Sequence, residues 1–210
     1  MTPRWGRCSW KSCSRAIVVD AVYDEFMHEL TGFTAGLRVG DPIEAEVFTG
    51  PLIRSESLER FESSVSLARQ LGRVVQGGGA HADGWYADLT IVEGLPTGHP
   101  LTREELFVPL LTVSRVGTLQ EALVEANAVD YGLSAGIFAA DPEEQSYFLD
   151  HIEAGIVMVN NPGGATTGVW PGTQTMAGWK SSGFSGKGGF GPYYLLQFVR
   201  EQSRTIRGRG

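Results

Sequence analysis

Hydrophobic and polar residues alternate along this chain in two different periods. Arg15–Asp20 is a short β-branched run, which predicts a strand. Ala21–Ala35 places Val22, Phe26, Leu30 and Phe33 at helical spacing, so these four are expected to face a core. Ser55–Leu71 repeats that pattern with Leu58, Phe61, Val65 and Leu67-Ala68 inward. Arg73–Val75 predicts a short strand ended by Gly77-Gly78-Gly79, and Tyr86–Val92 and Leu110–Val116 predict two more. Thr118–Asn127 predicts a helix with Leu119, Ala122, Leu123 and Ala126 on one face. Ser134–Ala139 predicts a strand. Asp141 and Pro142 supply an N-cap and a first-turn proline for a helix running to His151. Gly155–Asn160 predicts a buried strand and Tyr193–Glu201 a last one.

Strands alternating with helices of this length mean βαβ units and a mostly parallel sheet. Both faces of such a sheet are covered, which suits the continuous apolar runs Ile17–Val19 and Ile156–Val159. The expected organisation is a poorly specified segment over residues 1–12, an α/β domain over 13–190, and a terminal strand and tail over 191–210. Gly36–Pro51 carries turn chemistry, including Gly40-Asp41-Pro42 and Gly50-Pro51. No internal repeat or long linker interrupts the pattern.

Composition narrows the function classes. The 210 residues carry a net charge of −7, with 42% hydrophobic and 20% charged residues, so nucleic acid is not an expected partner. The basic tail Arg200–Arg209 reads as a solvated terminus. No run approaches the ~18 apolar residues of a membrane span, and the first fifteen residues lack an apolar signal region. Cys8 and Cys13 are too close together to staple a fold of this size, so a reducing, cytoplasmic setting is expected. His28, His81, His99 and His151 are scattered without metal-ligand spacing, and no metal is expected. Gly183–Gly189 fails the phosphate-loop pattern, because Ser181 and Gly188 stand where glycine and Ser or Thr are needed. No Gly-x-Gly-x-x-Gly joins a strand to a helix, so no dinucleotide fold is legible.

Three motifs carry chemistry. They are Glu104-Glu105-Leu106-Phe107-Val108-Pro109, Asp130-Tyr131-Gly132-Leu133-Ser134-Ala135-Gly136, and the glycine-rich stretch Asn160–Gly183 ending in Gly178-Trp179-Lys180-Ser181-Ser182-Gly183. In this order and spacing they resemble the C-terminal catalytic half of an aldehyde dehydrogenase. Arg38–Pro42, Gly50–Ile53 and Gly191–Leu195 extend the resemblance from about Cys13 to Ile206. It implies an aldehyde dehydrogenase catalytic domain with a mostly parallel sheet, plus a C-terminal oligomerisation strand. It also implies NAD as cofactor and a small-molecule aldehyde as substrate, with partners that are further copies of the chain or a separate dinucleotide-binding chain.

The resemblance also assigns roles. Glu105 would bind the nicotinamide ribose hydroxyls and Phe107 would pack beside the nicotinamide; a carboxylate accepting two hydroxyls makes charge-assisted bonds. Val108 replaces the family's usual glycine. The segment Thr167–Gly178 is similar to the L-glutamate γ-semialdehyde (1-pyrroline-5-carboxylate) dehydrogenases. Backbone amides at Gly168 and Val169 would there hold the substrate's α-carboxylate, as an anion nest does. Thr175-Met176-Ala177 departs from that subgroup's Pro-Phe-Gly, and a structural crossing loop is the other reading. The implied reaction oxidises the semialdehyde to glutamate, in proline catabolism, through a cysteine thiohemiacetal and thioester.

The nucleophile is the departure. Cys13-Ser14-Arg15 matches the last three residues of the family's Gly-Gln-Lys-Cys-Ser-Ala-Cys-Ser-Arg, which puts Trp10 at the nucleophile position. Cys8 lies two residues early, within Gly6-Arg7-Cys8-Ser9. Cys8 shifted by a bulge, Cys13 in its place, or a segment without a working nucleophile are the three readings. In the family, the dinucleotide-binding domain, the general-base Glu and the oxyanion Asn precede the nucleophile. The chain therefore resembles a catalytic part separated from them, and a non-catalytic fragment that associates with other chains is the alternative.

Overall fold

The computed structural model describes residues 13–81, 84–161, 174–183 and 187–208. Strand β1 (Arg15–Val19) leads directly into α1 (Asp20–Ala35). A short parallel pair follows, β2 (Arg38–Val39) and β3 (Val47–Thr49), then α2 (Ser55–Leu71) and β4 (Arg73–Gln76). Next come β5 (Ala80–His81), β6 (Tyr86–Ala87), β7 (Thr90–Glu93), α3 (Pro100–Arg103), β8 (Leu110–Val116) and α4 (Leu119–Asn127). The last elements are β9 (Tyr131–Gly132), β10 (Ser134–Ile137), α5 (Pro142–His151), β11 (Ile156–Val159), β12 (Trp179–Lys180) and a 3-10 turn, Leu195–Phe198.

The main sheet has the order β1-β8-β7-β4, with β1, β8 and β7 parallel and β4 antiparallel at the edge. Strands β10 and β11 form a second, parallel pair. Alternation along the strands divides the core by face. Val18, Ile91 and Val113 meet Tyr23 and Met27 of α1. Val92 and Leu110 meet Leu58, Phe61, Val65 and Ala68 of α2 on the opposite face. Phe61, Val92 and Ile91 are fully buried, each worth roughly 1.5–3 kcal/mol of transfer free energy. A third cluster joins Leu123 of α4 to Phe148 of α5 and Ile152 just after it, against Ala135, Ile137, Val157 and Val159. Side chains cap α4 and α5, the second as the sequence suggests. Thr118 Oγ1 accepts from Glu121 N, and Asp141 Oδ1 accepts from Glu143 N.

Three expectations change. The buried line of α1 is Tyr23 and Met27, while Val22 is 49% and Phe33 68% exposed. The Tyr23 hydroxyl donates to Glu93 Oε2 at 2.8 Å and the Arg115 guanidinium lies 4.7 Å over the ring, so Tyr23 and Met27 join Phe26 and Leu30 against the core. The expected strand Tyr86–Val92 is split. Asp88 accepts from Gly79 N, and Thr90 Oγ1 bonds both Asp88 O and Gly78 N, so β6 pairs with β5 and only β7 joins the main sheet. The expected strand Tyr193–Glu201 contains the 3-10 turn and no ladder. A strand is completed by a partner edge, and none of the described residues supplies one. Leu195 and Phe198 stay largely exposed.

Burial, with the Glu93 carboxylate beside it, pushes the Tyr23 phenol up to about 12. The neutral form is therefore favoured in the folded state. Its contribution is intact below the ordinary phenol pKa of about 10 and is lost as pH rises from about 10 to 12. Tyr23→Phe is expected to remove about 1–2 kcal/mol of that alkaline loss. Denaturant titrations of both forms at pH 9 and 11.5 check it; equal losses contradict the assignment.

Candidate active site

A cavity of about 550 Å³ runs beside β1, from Cys13 at one end to Val22 at the other. Cys13, Arg15, Arg103, Glu105, Gly132 and Ser182 gather at its first mouth, where β1 and β10 begin. Three stretches separated by decades of sequence thus meet at one place.

The Glu104–Pro109 loop reaches the mouth through α3. His99 caps this short helix, its Nδ1 accepting from Leu101 N at 3.2 Å, and Thr102 Oγ1 donates to His99 O. Beyond Arg103 the chain is pinned by Leu106 and Val108, which pack on the α2 core, and by Arg60 Nη1 donating to Leu106 O at 3.2 Å. The alternate residues Glu105 and Phe107 then turn outward. Phe107 has φ +56° and is 70% exposed. A bulky residue in the left-handed region costs on the order of 1–3 kcal/mol, and such outliers concentrate at functional sites. Glu105 lines the cavity; Phe107 stands on the loop two residues further on.

Arg15 holds the mouth's other wall. Its guanidinium donates to Thr102 O (3.4 Å), Glu125 O (3.2 Å) and Ala126 O (3.0 Å), tying β1 to the end of α3 and the last turn of α4. The buried Glu125 carboxylate lies 3.6 Å from Arg103. Cys13 Sγ donates to Arg15 O at 3.0 Å. Cys13 is exposed at the surface, yet desolvation around its Sγ raises the thiol above its ordinary pKa, against smaller lowering effects from the hydrogen bond to the Arg15 backbone and the Arg15 charge. At neutral pH this thiol is therefore protonated and a weak nucleophile. In a Cys8→Ala chain, alkylation of Cys13 by iodoacetamide at pH 7.5 is expected to be about tenfold slower than that of a free cysteine. A rate equal to the free thiol's contradicts this.

The Gly178–Gly183 turn closes the third side. Trp179 and Lys180 pair antiparallel with Tyr131 and Gly132, and Ser182 Oγ accepts from Gly132 N at 3.0 Å. Lys180 (φ +51°) donates to Asn127 O and Val129 O and pairs with Glu153, fastening the turn to the end of α4 and the approach to β11. Asn127 adds a bond from Glu153 N to its Oδ1 at 2.9 Å.

Of the residues expected in the site, Cys13 and Glu105 share the cavity, and Phe107 is exposed two residues beyond Glu105 on the same loop. Cys8, Gly168 and Val169, and Trp10 at the matched nucleophile position, lie outside the described residues. Arg15, Lys180 and His99 were not singled out beforehand. The end of the Cys-Ser-Arg match was the one available signal for Arg15. Among the described residues no cluster of three or more His, Cys, Asp or Glu is placed to hold a metal, and no helix is long and apolar enough to cross a membrane.

The model of the aldehyde dehydrogenase family matches residues 7–203. The chain belongs to this family. A 1-pyrroline-5-carboxylate dehydrogenase of Staphylococcus aureus is 30% identical over 197 residues, which is 93% of this chain and 37% of that protein. Among solved structures, a 1-pyrroline-5-carboxylate dehydrogenase from Thermus with bound NAD superposes with a TM-score of 0.83 at 27% identity, over 93% of this chain and 37% of that one. A lactaldehyde dehydrogenase superposes with a TM-score of 0.80 at 28% identity, over 90% of this chain and 39% of that one. The chain thus spans 37% of the length of the curated relatives it matches. Its α/β architecture with a mainly parallel sheet is that of the aldehyde dehydrogenase catalytic domain.

Proposed function

We propose that this chain is the catalytic portion of an NAD-dependent aldehyde dehydrogenase that oxidises L-glutamate γ-semialdehyde to glutamate. The observation that carries the reading is the meeting, at one cavity mouth, of the Glu105 loop, the segment following the nucleophile stretch, and the Gly178–Gly183 turn. The curated relatives named as 1-pyrroline-5-carboxylate dehydrogenases support the substrate. Overall likeness does not select it, since a lactaldehyde dehydrogenase superposes nearly as well. The substrate reading rests on the resemblance of Thr167–Gly178 to that subgroup, in which amides at the positions of Gly168 and Val169 would hold an α-carboxylate.

The chain's residues fit one end of a dinucleotide. The Glu105 carboxylate and the Phe107 ring both face solvent, one able to accept ribose hydroxyls and the other to cover a flat ring. The nicotinamide, when bound, supplies hydride acceptance. The chain's own part is covalent: a cysteine thiolate adds to the aldehyde carbon, the thiohemiacetal loses hydride to become a thioester, and water releases the acid and the thiolate. Cys8 is assigned as the nucleophile in preference to Cys13, whose thiol is held protonated and bonded to the Arg15 carbonyl. That same observation favours a second reading, a non-catalytic fragment acting as an assembly partner. The exposed side chains of Leu195–Val199 are assigned to association with a further copy of the chain.

The test uses the chain mixed with the portion of the S. aureus relative outside the matched 197 residues, expressed separately. The expected result is NADH formation with the semialdehyde, at least tenfold less with butyraldehyde, and abolished by Cys8→Ala but not Cys13→Ala. Glu105→Gln is expected to raise the KM for NAD about tenfold, by loss of charge-assisted bonds. Equal rates on both aldehydes sink the substrate reading. Turnover that survives Cys8→Ala and is lost in Cys13→Ala reverses the nucleophile assignment.

A further inference from the structure

A buried histidine stands at the root of the loop that displays Glu105 and Phe107. His99 is 6% exposed and holds the chain at three points. Its amide donates to Pro96 O at 3.1 Å. Its carbonyl accepts from Thr102 N and from Thr102 Oγ1, both at 2.9 Å. Its Nδ1 accepts from Leu101 N at 3.2 Å. A backbone amide has only a proton to give, so this Nδ1 carries none. The ring that makes this bond is neutral, with its one proton on Nε2.

Leu101 N is the donor that needs the ring. The first amides of a helix have no carbonyl behind them. In α3, Pro100 has no N–H, Thr102 N reaches His99 O, and Leu101 N reaches the imidazole. Leu101 and Thr102 are buried, which makes an unpaired amide there costly. A helix of four residues has few bonds of its own, so its cap decides whether the turn stays closed.

The turn in turn sets where Glu105 stands. Its closing bond runs from Glu104 N to Pro100 O at 2.9 Å, immediately ahead of Glu105. On the far side, Leu106 packs on the α2 core and its carbonyl accepts from Arg60. Glu105 is therefore the residue between two fixed points, and opening α3 leaves it only one. The charged groups about the turn are Arg103 and Glu104 of its own segment, Arg15 from β1, Glu125 from α4 and Arg60 from α2. Among these side-chain types and histidine, only imidazole ordinarily titrates between pH 5 and 8.

We propose that His99 is a positioning residue for the nicotinamide end of the site: its neutral ring holds α3 closed and keeps Glu105 and Phe107 displayed, and protonation of the ring releases them. A protonated imidazole carries N–H on both nitrogens, so Nδ1 then opposes the Leu101 amide instead of accepting from it. The proposal rests on the assignment of Glu105 and Phe107 to the cofactor.

Hydrogen exchange on the full chain tests the hold on α3, with each amide's rate divided by its unstructured rate at the same pH. His99→Ala is expected to lower the protection of the Leu101 and Glu104 amides about tenfold at pH 7.5. Thr112, whose amide donates to Ser14 O beside the β8 ladder, should keep its protection. His99→Asn supplies a capping oxygen that does not titrate, and is expected to restore the protection. At pH 5.5, below the ordinary imidazole pKa of about 6.5, the parent is expected to lose about tenfold and His99→Asn nothing. The reach into the site is read from NADH fluorescence, with the chain mixed with the remaining portion of the S. aureus relative. The Kd for NADH is expected to rise about fivefold in His99→Ala at pH 7.5, and in the parent at pH 5.5, but in neither case for His99→Asn.

Unchanged protection in His99→Ala, failure of His99→Asn to restore it, or equal acid losses in the parent and His99→Asn overturns the proposal. So does an NADH affinity indifferent to His99→Ala, because the ring would then hold α3 without reaching the site. Where His99→Ala fails to fold, the parent and His99→Asn compared at the two pH values decide it. No NADH binding by the parent mixture sinks the cofactor assignment of Glu105, and the exchange rates alone then decide whether the ring holds the loop.

Discussion

Gly155→Ala is expected to cost at least about 3 kcal/mol and to lower the melting temperature by about 10 °C. Gly155 sits where the approach to β11 passes the Gly178–Gly183 turn, and its amide donates to Gly132 O at 3.0 Å. A methyl added there would overlap the Ala177 carbonyl and crowd the amide of Gly178. These are backbone atoms, so no rotamer change relieves the clash. Either β11 or the turn must move away. Moving β11 disturbs the Ile156–Leu133 bond, and moving the turn disturbs the Trp179–Gly132 pairing and the Lys180 contacts. Thermal unfolding followed by circular dichroism measures the loss. A melting temperature within 2 °C of the parent would show that the turn does not press on β11 in this way.

Arg15→Met keeps much of the apolar stem and removes the fork of donors. Three carbonyls, of Thr102, Glu125 and Ala126, lose their shared partner, and the buried Glu125 carboxylate keeps only Arg103 beside it. Hydrogen bonds to a charged group contribute about 1.5–3 kcal/mol each before relaxation, so a loss of about 2–4 kcal/mol is expected. Arg15→Lys should recover less than half, since an ammonium does not span several carbonyls as a planar fork does. Full recovery by lysine would mean that charge alone, rather than the fork, holds β1 to α3 and α4. The same substitution should also loosen the Glu105 loop, because Thr102 immediately precedes Arg103 and Glu104.

How far the sequence carries can be judged from these contacts. Helix α2 and strand β8 were legible to the residue, because a clean period ends at Gly72 and at Gly117. The face of α1 was legible in part: Phe26 and Leu30 pack on the core as their spacing predicts, but Tyr23, bonded to Glu93 seventy residues away, was not foreseen there. The break between β6 and β7 depends on Asp88 and Thr90 reaching back to the glycines after β4, again beyond any local window. Strand propensity over Tyr193–Glu201 says what the segment favours and not where a partner edge lies; without one it forms a 3-10 turn.

The site divides in the same manner. Glu105 and Phe107 were legible because a motif fixes them locally, and the structure adds the left-handed backbone that thrusts Phe107 outward. The bonds of Arg15 span about 110 residues, and those of Lys180 about fifty, so no spacing rule finds them. Phe26 packs on the Val18, Tyr23 and Met27 cluster as its spacing predicts, while Val22 is half exposed and lines the cavity.

The most direct test of the account is NADH formation from glutamate γ-semialdehyde by the chain alone and by the chain mixed with the remaining portion of the S. aureus relative. No turnover is expected from the folded chain alone, and turnover in the mixture is expected to be lost on Cys8→Ala. Turnover by the chain alone, or none in a mixture shown to form a complex, would contradict it.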